Sequence, residues 1–257
     1  MSTGNPSQTT RRKLPAAQHE DQAHVLKLIE GTGNESEATG LRVVVSTSGE
    51  PARQSAAMVT FPPLRAPWGL CDYRWEMWPR NCAIEPCDLW LHIGSDRLSG
   101  LNNRERAPAS AIFVDLAGLH FRNIGSPADV KVQARLARAL IEIHFVPGHV
   151  CVDFADVAKV LPRATTVIQS IGEDASKAVN TFHAALLDAA PQSMTGALLI
   201  VTFPLGGGKL SHSKQAIKTL QAAVNPSAEV IFATTQDPEL PPSTLRITLV
   251  AAFAELD

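Results

Sequence analysis

The sequence predicts an α/β protein whose second half is a two-layer sandwich of four strands and two helices, entered through a long central helix. Three observations carry this. Apolar residues recur at spacings of three and four from Ala128 to Ile143; short β-branched runs then alternate with helical patterns; and the final run, Leu245 to Phe253, sets Leu245, Ile247, Leu249, Ala251 and Phe253 on one face.

The first 18 residues are mostly Ser, Thr, Pro, Gln and basic, with little to bury, and read as a disordered tail. Val25, Leu26, Leu28 and Ile29 predict a short helix ended by Gly31. Leu41-Arg42-Val43-Val44-Val45 reads as a buried strand, and Ala57-Met58-Val59-Thr60-Phe61 as a second run. The segment between them is barely long enough for a parallel crossover. From Pro62 to Pro86, three of the four tryptophans (Trp68, Trp75, Trp78) lie among prolines, and neither period fits, so the stretch is expected to be irregular. Core filling by these rings is favoured over an exposed aromatic patch.

Order returns with a strand at Asp88 to Ile93. Ser126 suits an N-cap and Pro127 the first helical position; Val132, Leu136, Ala139, Leu140 and Ile143 continue one face until Pro147-Gly148 stops the helix. A short helix follows from Asp153 to Leu161, then a strand from Thr166 to Ile171. Gly172 introduces a helix with Ala178, Phe182, Ala185, Leu186 and Ala189 inward, closed by Pro191. The strand Ala197 to Phe203 precedes a helix with Ala216, Ile217, Leu220, Ala223 and Val224 inward, stopped at Asn225-Pro226. Two strands, Val230 to Thr234 and Leu245 to Phe253, complete the set. The expected organisation is a tail (1–18), a first domain (19–125), the central helix (126–145) and the sandwich (146–257), with no internal repeat.

Composition excludes several classes. With 23 basic and 25 acidic residues among 257, the formal charge of −2 gives no footprint for nucleic acid and no polybasic membrane anchor. Cys71, Cys82, Cys87 and Cys151 show no Cys-x-x-Cys spacing, so reduced thiols are expected and neither zinc nor disulfides. Arg11-Arg12 leads into Gln18-His19-Glu20-Asp21 and not into an apolar signal core. No run approaches the ~20 apolar residues of a membrane span, so direct membrane insertion is not expected and a cytoplasmic location is.

The candidate chemistry centres on Val152-Asp153-Phe154-Ala155-Asp156-Val157, which places Asp153 and Asp156 in the first turn of a helix, where negative charge suits the dipole. Gly206-Gly207-Gly208-Lys209 has the strand-to-helix context of a phosphate loop, but Leu210 stands where Ser or Thr would bind magnesium, and a tight turn is expected. Gly31-Thr32-Gly33 is followed by Asn34, Glu35 and Glu37, which would repel phosphate.

The order of these pieces resembles the FtsZ/tubulin family of bacterial cell-division GTPases. Val146-Pro147-Gly148 with the Asp153 segment resembles the loop and helix start that join the two FtsZ domains. Gly172-Glu173-Asp174-Ala175 is similar to the family's Gly-Glu-Asp-Arg helix start, and Ala228 to Ala233, Asp237-Pro238-Glu239-Leu240 and Leu245 to Ala251 follow its closing strands in order. More thinly, Ala57 to Pro62 resembles a family strand end and Ile93-Gly94-Ser95-Asp96-Arg97-Leu98 a family turn. Val43 to Gly49 resembles the strand that feeds the family's glycine-rich phosphate loop, but Gly49-Glu50-Pro51-Ala52-Arg53 replaces that loop: Glu50 brings negative charge and Pro51 lacks an amide donor. Ala66 and Leu70 occupy the positions of the family's nucleotide-holding Glu and Arg, and an ungapped match puts Val130 or Lys131 at that of its guanine-reading Asn or Asp, with Asp129 reaching it only by a one-residue shift.

The resemblance therefore implies a truncated remnant of a Rossmann-like nucleotide domain, missing the family's leading glycine-rich loop, followed by an FtsZ-type second domain. Asp153 and Asp156 match carboxylates that in the family reach the GTP of a neighbouring subunit, with Cys151 at the family's Asn. No cofactor is assigned; GTP is expected only if the family activity survives. The implied function is a polymer-interacting partner or cap that meets FtsZ, or a second copy of itself, head to tail, with a location at the division site. A polymerising GTPase and a non-functional fragment are the alternatives. With no linker or terminal peptide after Asp257, recruitment of membrane adaptors is not expected.

Overall fold

The computed structural model of the protein describes residues 23–30, 43–47, 65–66, 69–78, 88–94, 111–122, 130–145, 150, 152–237 and 239–254. Its centre is α1, Val130–Phe145, which is buried nearly all round: Val132, Ala134, Leu136, Ala137, Leu140, Ile141 and Ile143 are all enclosed, while Lys131 and Arg135 reach solvent. A helix buried on nearly every side needs partners on nearly every side. Two sheets supply them.

One is a parallel three-stranded sheet of β2 (Val43–Thr47), β5 (Leu89–Ile93) and β6 (Ile112–Asp115), with β5 in the middle. Val43, Val45, Leu89, Leu91, Ile93 and Val114 pack in one core with α1. Gln133 of α1, fully buried, holds the end of β5 by two bonds: its Nε2 donates to the Gly94 carbonyl at 2.8 Å, and its Oε1 accepts from the Gly94 N–H at 3.0 Å. This satisfies backbone groups that the sheet leaves behind.

After β6 a single 3-10 turn, capped by Asp115 through the Ala117 N–H, redirects the chain into β7 (His120–Arg122), which pairs parallel with β8 (Thr166–Gly172). The second sheet has the order β10-β9-β11-β8-β7, with β9 spanning Met194–Pro204, β10 Glu229–Asp237 and β11 Leu245–Phe253. β10 runs parallel to β9, and β11 is antiparallel to both β8 and β9.

Alternate residues of these strands feed two layers. Leu199, Val201, Phe203, Ile247 and Leu249 meet Phe182, Leu186 and Leu220 of α3 (Ala175–Leu187) and α4 (Leu210–Ala223). Leu198, Ile200, Ala233 and Val250 face the other way, onto α1 and the short α2 (Phe154–Val160). The expected sandwich of four strands and two helices is present. To it the structure adds β7 as a fifth strand and a helical layer on the opposite face, which is why β11 is buried at both sets of positions.

Two expectations in the first half are corrected. Val25, Leu26, Leu28 and Ile29 lie on a strand, β1 (Ala23–Glu30), and not on a helix. The stretch from Pro62 to Pro86 is not irregular throughout, since it contains β3 (Arg65–Ala66) and the long β4 (Gly69–Trp78). The two errors share a cause: β1 pairs antiparallel with β4 from Ala23↔Trp78 to Glu30↔Cys71, and this non-local ladder decides a run whose local pattern fits either period. The expected tail, the Ala57 to Phe61 strand, Ser126, Pro127, Pro147-Gly148 and Cys151 lie outside the described residues. Among those described, no helix is long and apolar enough to cross a membrane.

Candidate functional site

Asp153 is the N-cap of α2. Its backbone is extended (φ −72°, ψ 137°), its Oδ1 accepts from the Ala155 N–H at 3.0 Å, and its carbonyl accepts from Asp156 and Val157 at 3.1 and 3.3 Å. These contacts satisfy amides that the first turn would otherwise leave open. Asp156 lies one turn on, about half-exposed, and its Oδ1 accepts from Lys159 Nζ at 2.8 Å; Lys159 also faces Glu229 at 3.4 Å. The hydrogen bond and charge of Asp156 raise the Lys159 ammonium above its ordinary range.

The helix is laid along β10. The Val150 N–H donates to Thr234 Oγ1 at 3.0 Å near its start, and Lys159 meets Glu229 near its end. Phe154 stands edge-on to His144 at the close of α1, with ring centroids 5.5 Å apart and planes at 70°. Burial drives the His144 imidazole down to about 4, against the opposing help of a Val152 backbone hydrogen bond and the Asp153 charge. The start of α2 is thus fixed to the end of the central helix.

The Gly206 to Lys209 loop follows β9, whose last residue, Pro204, pairs with Asp237. Gly206 and Gly208 adopt positive φ of 71° and 97°, and the Gly207 N–H donates to the Pro204 carbonyl at 2.9 Å. A Cβ on Gly208 would stand 2.3 Å from the Phe203 ring. Turn geometry and close packing account for these glycines, as expected.

Sequence reasoning missed a buried group of charges. Arg138 Nε meets Glu142 Oε1 at 2.5 Å along one face of α1, Arg138 also reaches Asp237 at 3.6 Å and Glu239 at 3.7 Å, and Arg246 Nη2 pairs with Asp237 Oδ2. Arg138, Glu142, Asp237 and Arg246 are all nearly inaccessible, whereas the Glu239 side chain is 69% exposed. Burial pushes Glu142 up to about 7 in spite of Arg138, and the adjacent Arg246 holds Asp237 below its ordinary range in spite of burial. Beside the cluster lies a pocket of about 340 Å³ lined by Arg135, Glu173, Leu240, Pro241, Thr244 and Arg246, among others. No local signal marked it: Lys131, Arg135, Arg138 and Glu142 recur at spacings of three and four and read as one solvent-facing stripe.

Between β8 and α3, Gly172-Glu173-Asp174 also has a structural cause. A Cβ on Gly172 would lie 2.3 Å from the Ala178 nitrogen, and Asp174 caps α3 through the Lys177 N–H at 2.8 Å.

No family model matches the chain. It is 30% identical over 126 residues to cell division protein FtsZ 1 of Methanocaldococcus jannaschii, which covers 47% of this chain and 34% of that protein. FtsZ 1 of Pyrococcus furiosus is likewise 30% identical over 128 residues, 48% of this chain and 33% of its own length. Over about half its length the chain is similar to FtsZ. It spans about a third of the length of the curated relatives it matches. Among solved structures, the empty FtsZ dimer of M. jannaschii superposes with a TM-score of 0.42 at 22% identity, covering 65% of this chain and 45% of that one. The CetZ2 protofilament of Haloferax volcanii with bound GTPγS gives 0.40 at 13% identity, covering 83% and 65%. In this FtsZ-like chain Asp153 and Asp156 share one helical turn at the surface, while Arg138, Glu142, Asp237 and Arg246 lie between the central helix and the sheet.

Proposed function

We propose that this chain is a partner of FtsZ-type polymers, meeting a neighbouring subunit head to tail through the surface where α2 begins, at the cytoplasmic division site. Asp153 and Asp156 are the groups it presents. The observation that carries the reading is the exposed first turn of α2, in which both carboxylates stand at the surface on a helix anchored to α1 through Phe154 and His144 and to β10 through Lys159 and Glu229. Each carboxylate already accepts a hydrogen bond from its own helix, and Cys151 stands at the family's Asn, so their role is recognition more than orientation of a water molecule.

Gly49-Glu50-Pro51-Ala52-Arg53, in place of a glycine-rich phosphate loop, supports a chain that does not hold GTP by itself. A head-to-tail contact propagates only when both faces work, so a subunit with one competent face caps a filament. Sedimentation of a complete FtsZ with and without this protein tests the proposal. The expected result is co-sedimentation with reduced polymer mass; unchanged polymer and no co-sedimentation overturn it. Micromolar binding of a fluorescent GTP analogue would overturn the capping role in favour of a polymerising GTPase.

A further inference from the structure

The buried charges tie together three elements that also share an apolar core: α1 through Arg138 and Glu142, the end of β10 through Asp237, and β11 through Arg246. Residues 239–244 connect the last two and form one wall of the pocket. Their own fastening is slight. The Leu240 N–H donates to the Asp237 carbonyl at 3.2 Å, the Thr244 N–H to Pro241 at 3.1 Å, and Ser243 sits at a φ of +68°, which a non-glycine residue adopts at a cost. Toward α1 the segment is tied by Glu239, whose N–H donates to Asp237 Oδ1 at 2.9 Å and whose carboxylate faces Arg138.

The charges do not balance. Glu142 is faced by Arg138 on its own helix, by Asp237 on β10 and by Arg246 on β11, and Glu239 at the rim adds a further carboxylate. Two guanidiniums therefore serve three carboxylates. Water can solvate Glu239, but Glu142 is only 2% exposed with Arg138 as its close ion-pair partner, and the desolvation of a buried ion pair is costly. Relief comes either from a proton on Glu142 or from movement of the carboxylates of residues 237 and 239 toward solvent.

We propose that this cluster is a proton-dependent latch: with Glu142 protonated it closes residues 239–244 over the pocket against α1, and loss of that proton releases the segment. The buried position of Glu142 moves its titration up to about 7, which puts the transition within the range a cell experiences. The closed state binds the proton and the open, hydrated state gives it up. Opening is therefore favoured as pH rises from the ordinary range of a glutamate toward about 7, and levels off above that. This device is independent of any contact made by Asp153 and Asp156.

Amide hydrogen exchange of Glu239, Leu240, Ser243 and Thr244, the residues of the segment that carry an N–H, corrected for intrinsic rates and followed from pH 5 to 8, tests the latch. Exchange in the wild-type chain should rise about tenfold per pH unit between roughly pH 5 and 7 and then flatten. In Glu142→Gln, which keeps an uncharged acceptor for Arg138, the corrected rate should be flat. A flat wild-type profile, or an unchanged rise in the variant, overturns the proposal. Should the variant fail to fold, carbon-13 NMR titration of the Glu142 carboxyl in the wild-type chain decides: a midpoint near 7 supports the latch, and one near 4.5 overturns it.

Discussion

Arg138 and Glu142, one helical turn apart, meet at 2.5 Å on the face of α1 that is pressed against the five-stranded sheet. The pair brings charge to a place where the rest of the helix brings Leu136, Leu140 and Ile143. It is tolerated because Asp237 and Arg246 arrive from β10 and β11 to share it. A buried ion pair of this kind contributes little over an apolar replacement, yet removing one member leaves its partner unpaired in a poorly solvated interior.

Asp237→Ala should therefore destabilise the chain by about 3–5 kcal/mol, because it strips Arg246 of its partner and Arg138 of one of three. Urea denaturation checks this. Glu239→Ala, at the exposed rim, should change stability by less than about 1 kcal/mol.

The contrast between these elements marks how far the sequence can be read. β9, β11, α3 and α4 were legible because each carries its own period: Phe182 and Leu186 recur at helical spacing, and Ile247 and Leu249 alternate. Asp153 was legible as a helix start because a carboxylate there satisfies amides two residues away. β1 was not, because eight residues containing Val25, Leu26, Leu28 and Ile29 fit a helix or a strand until Tyr73 and Trp75 pair with them from across the sheet. The second helical layer escaped for a related reason, since an alternating strand tells which residues share a face but not what covers each face. Arg138 and Glu142 read locally as solvent-facing charges; only the approach of two distant strands buries them.

Close packing at two glycines predicts a further pair of effects. Gly172→Ala sets a Cβ against the Ala178 backbone at 2.3 Å, which α3 can relieve only by moving. Gly208→Ala meets the Phe203 ring at a similar distance and also needs a φ of +97°. Each should cost at least about 1–3 kcal/mol, measured as a fall in the urea midpoint, whereas Gly207→Ala meets nothing closer than 3.4 Å and should be mild.

The pH dependence of stability should reflect three buried groups of opposing sign. Burial lowers His92 and His144 to about 4, so each contributes stability that is complete above the ordinary value of 6.5 and lost as pH falls toward 4. Glu142 acts the other way: its folded value of about 7 lies above the ordinary 4.5, so its contribution is full below 4.5 and lost as pH rises through 7. Between pH 5 and 6.5 the two histidines outweigh the one glutamate, and stability should rise by roughly 1 kcal/mol per pH unit. Glu142→Gln removes the opposing contribution. Urea unfolding at pH 5, 5.5, 6 and 6.5 should show a slope about twice that of the wild-type chain.

The start of α2 allows the cap and the charge at Asp153 to be separated. Asp153→Ala removes the acceptor for the Ala155 N–H and should cost about 1 kcal/mol of stability. Asp153→Asn keeps an acceptor at the same place and should leave the urea midpoint within a few tenths of a kcal/mol. If the carboxylate is only a cap, the asparagine variant should sediment with FtsZ polymer as the wild type does. If the negative charge is what a neighbouring subunit recognises, Asp153→Asn and Asp156→Asn should each lose co-sedimentation while remaining folded. Their loss should be matched by raising salt with the wild-type chain, since a contact between exposed charges is screened over about 8–10 Å at physiological ionic strength. Retention of binding by both asparagine variants at low salt would remove these two carboxylates from the contact.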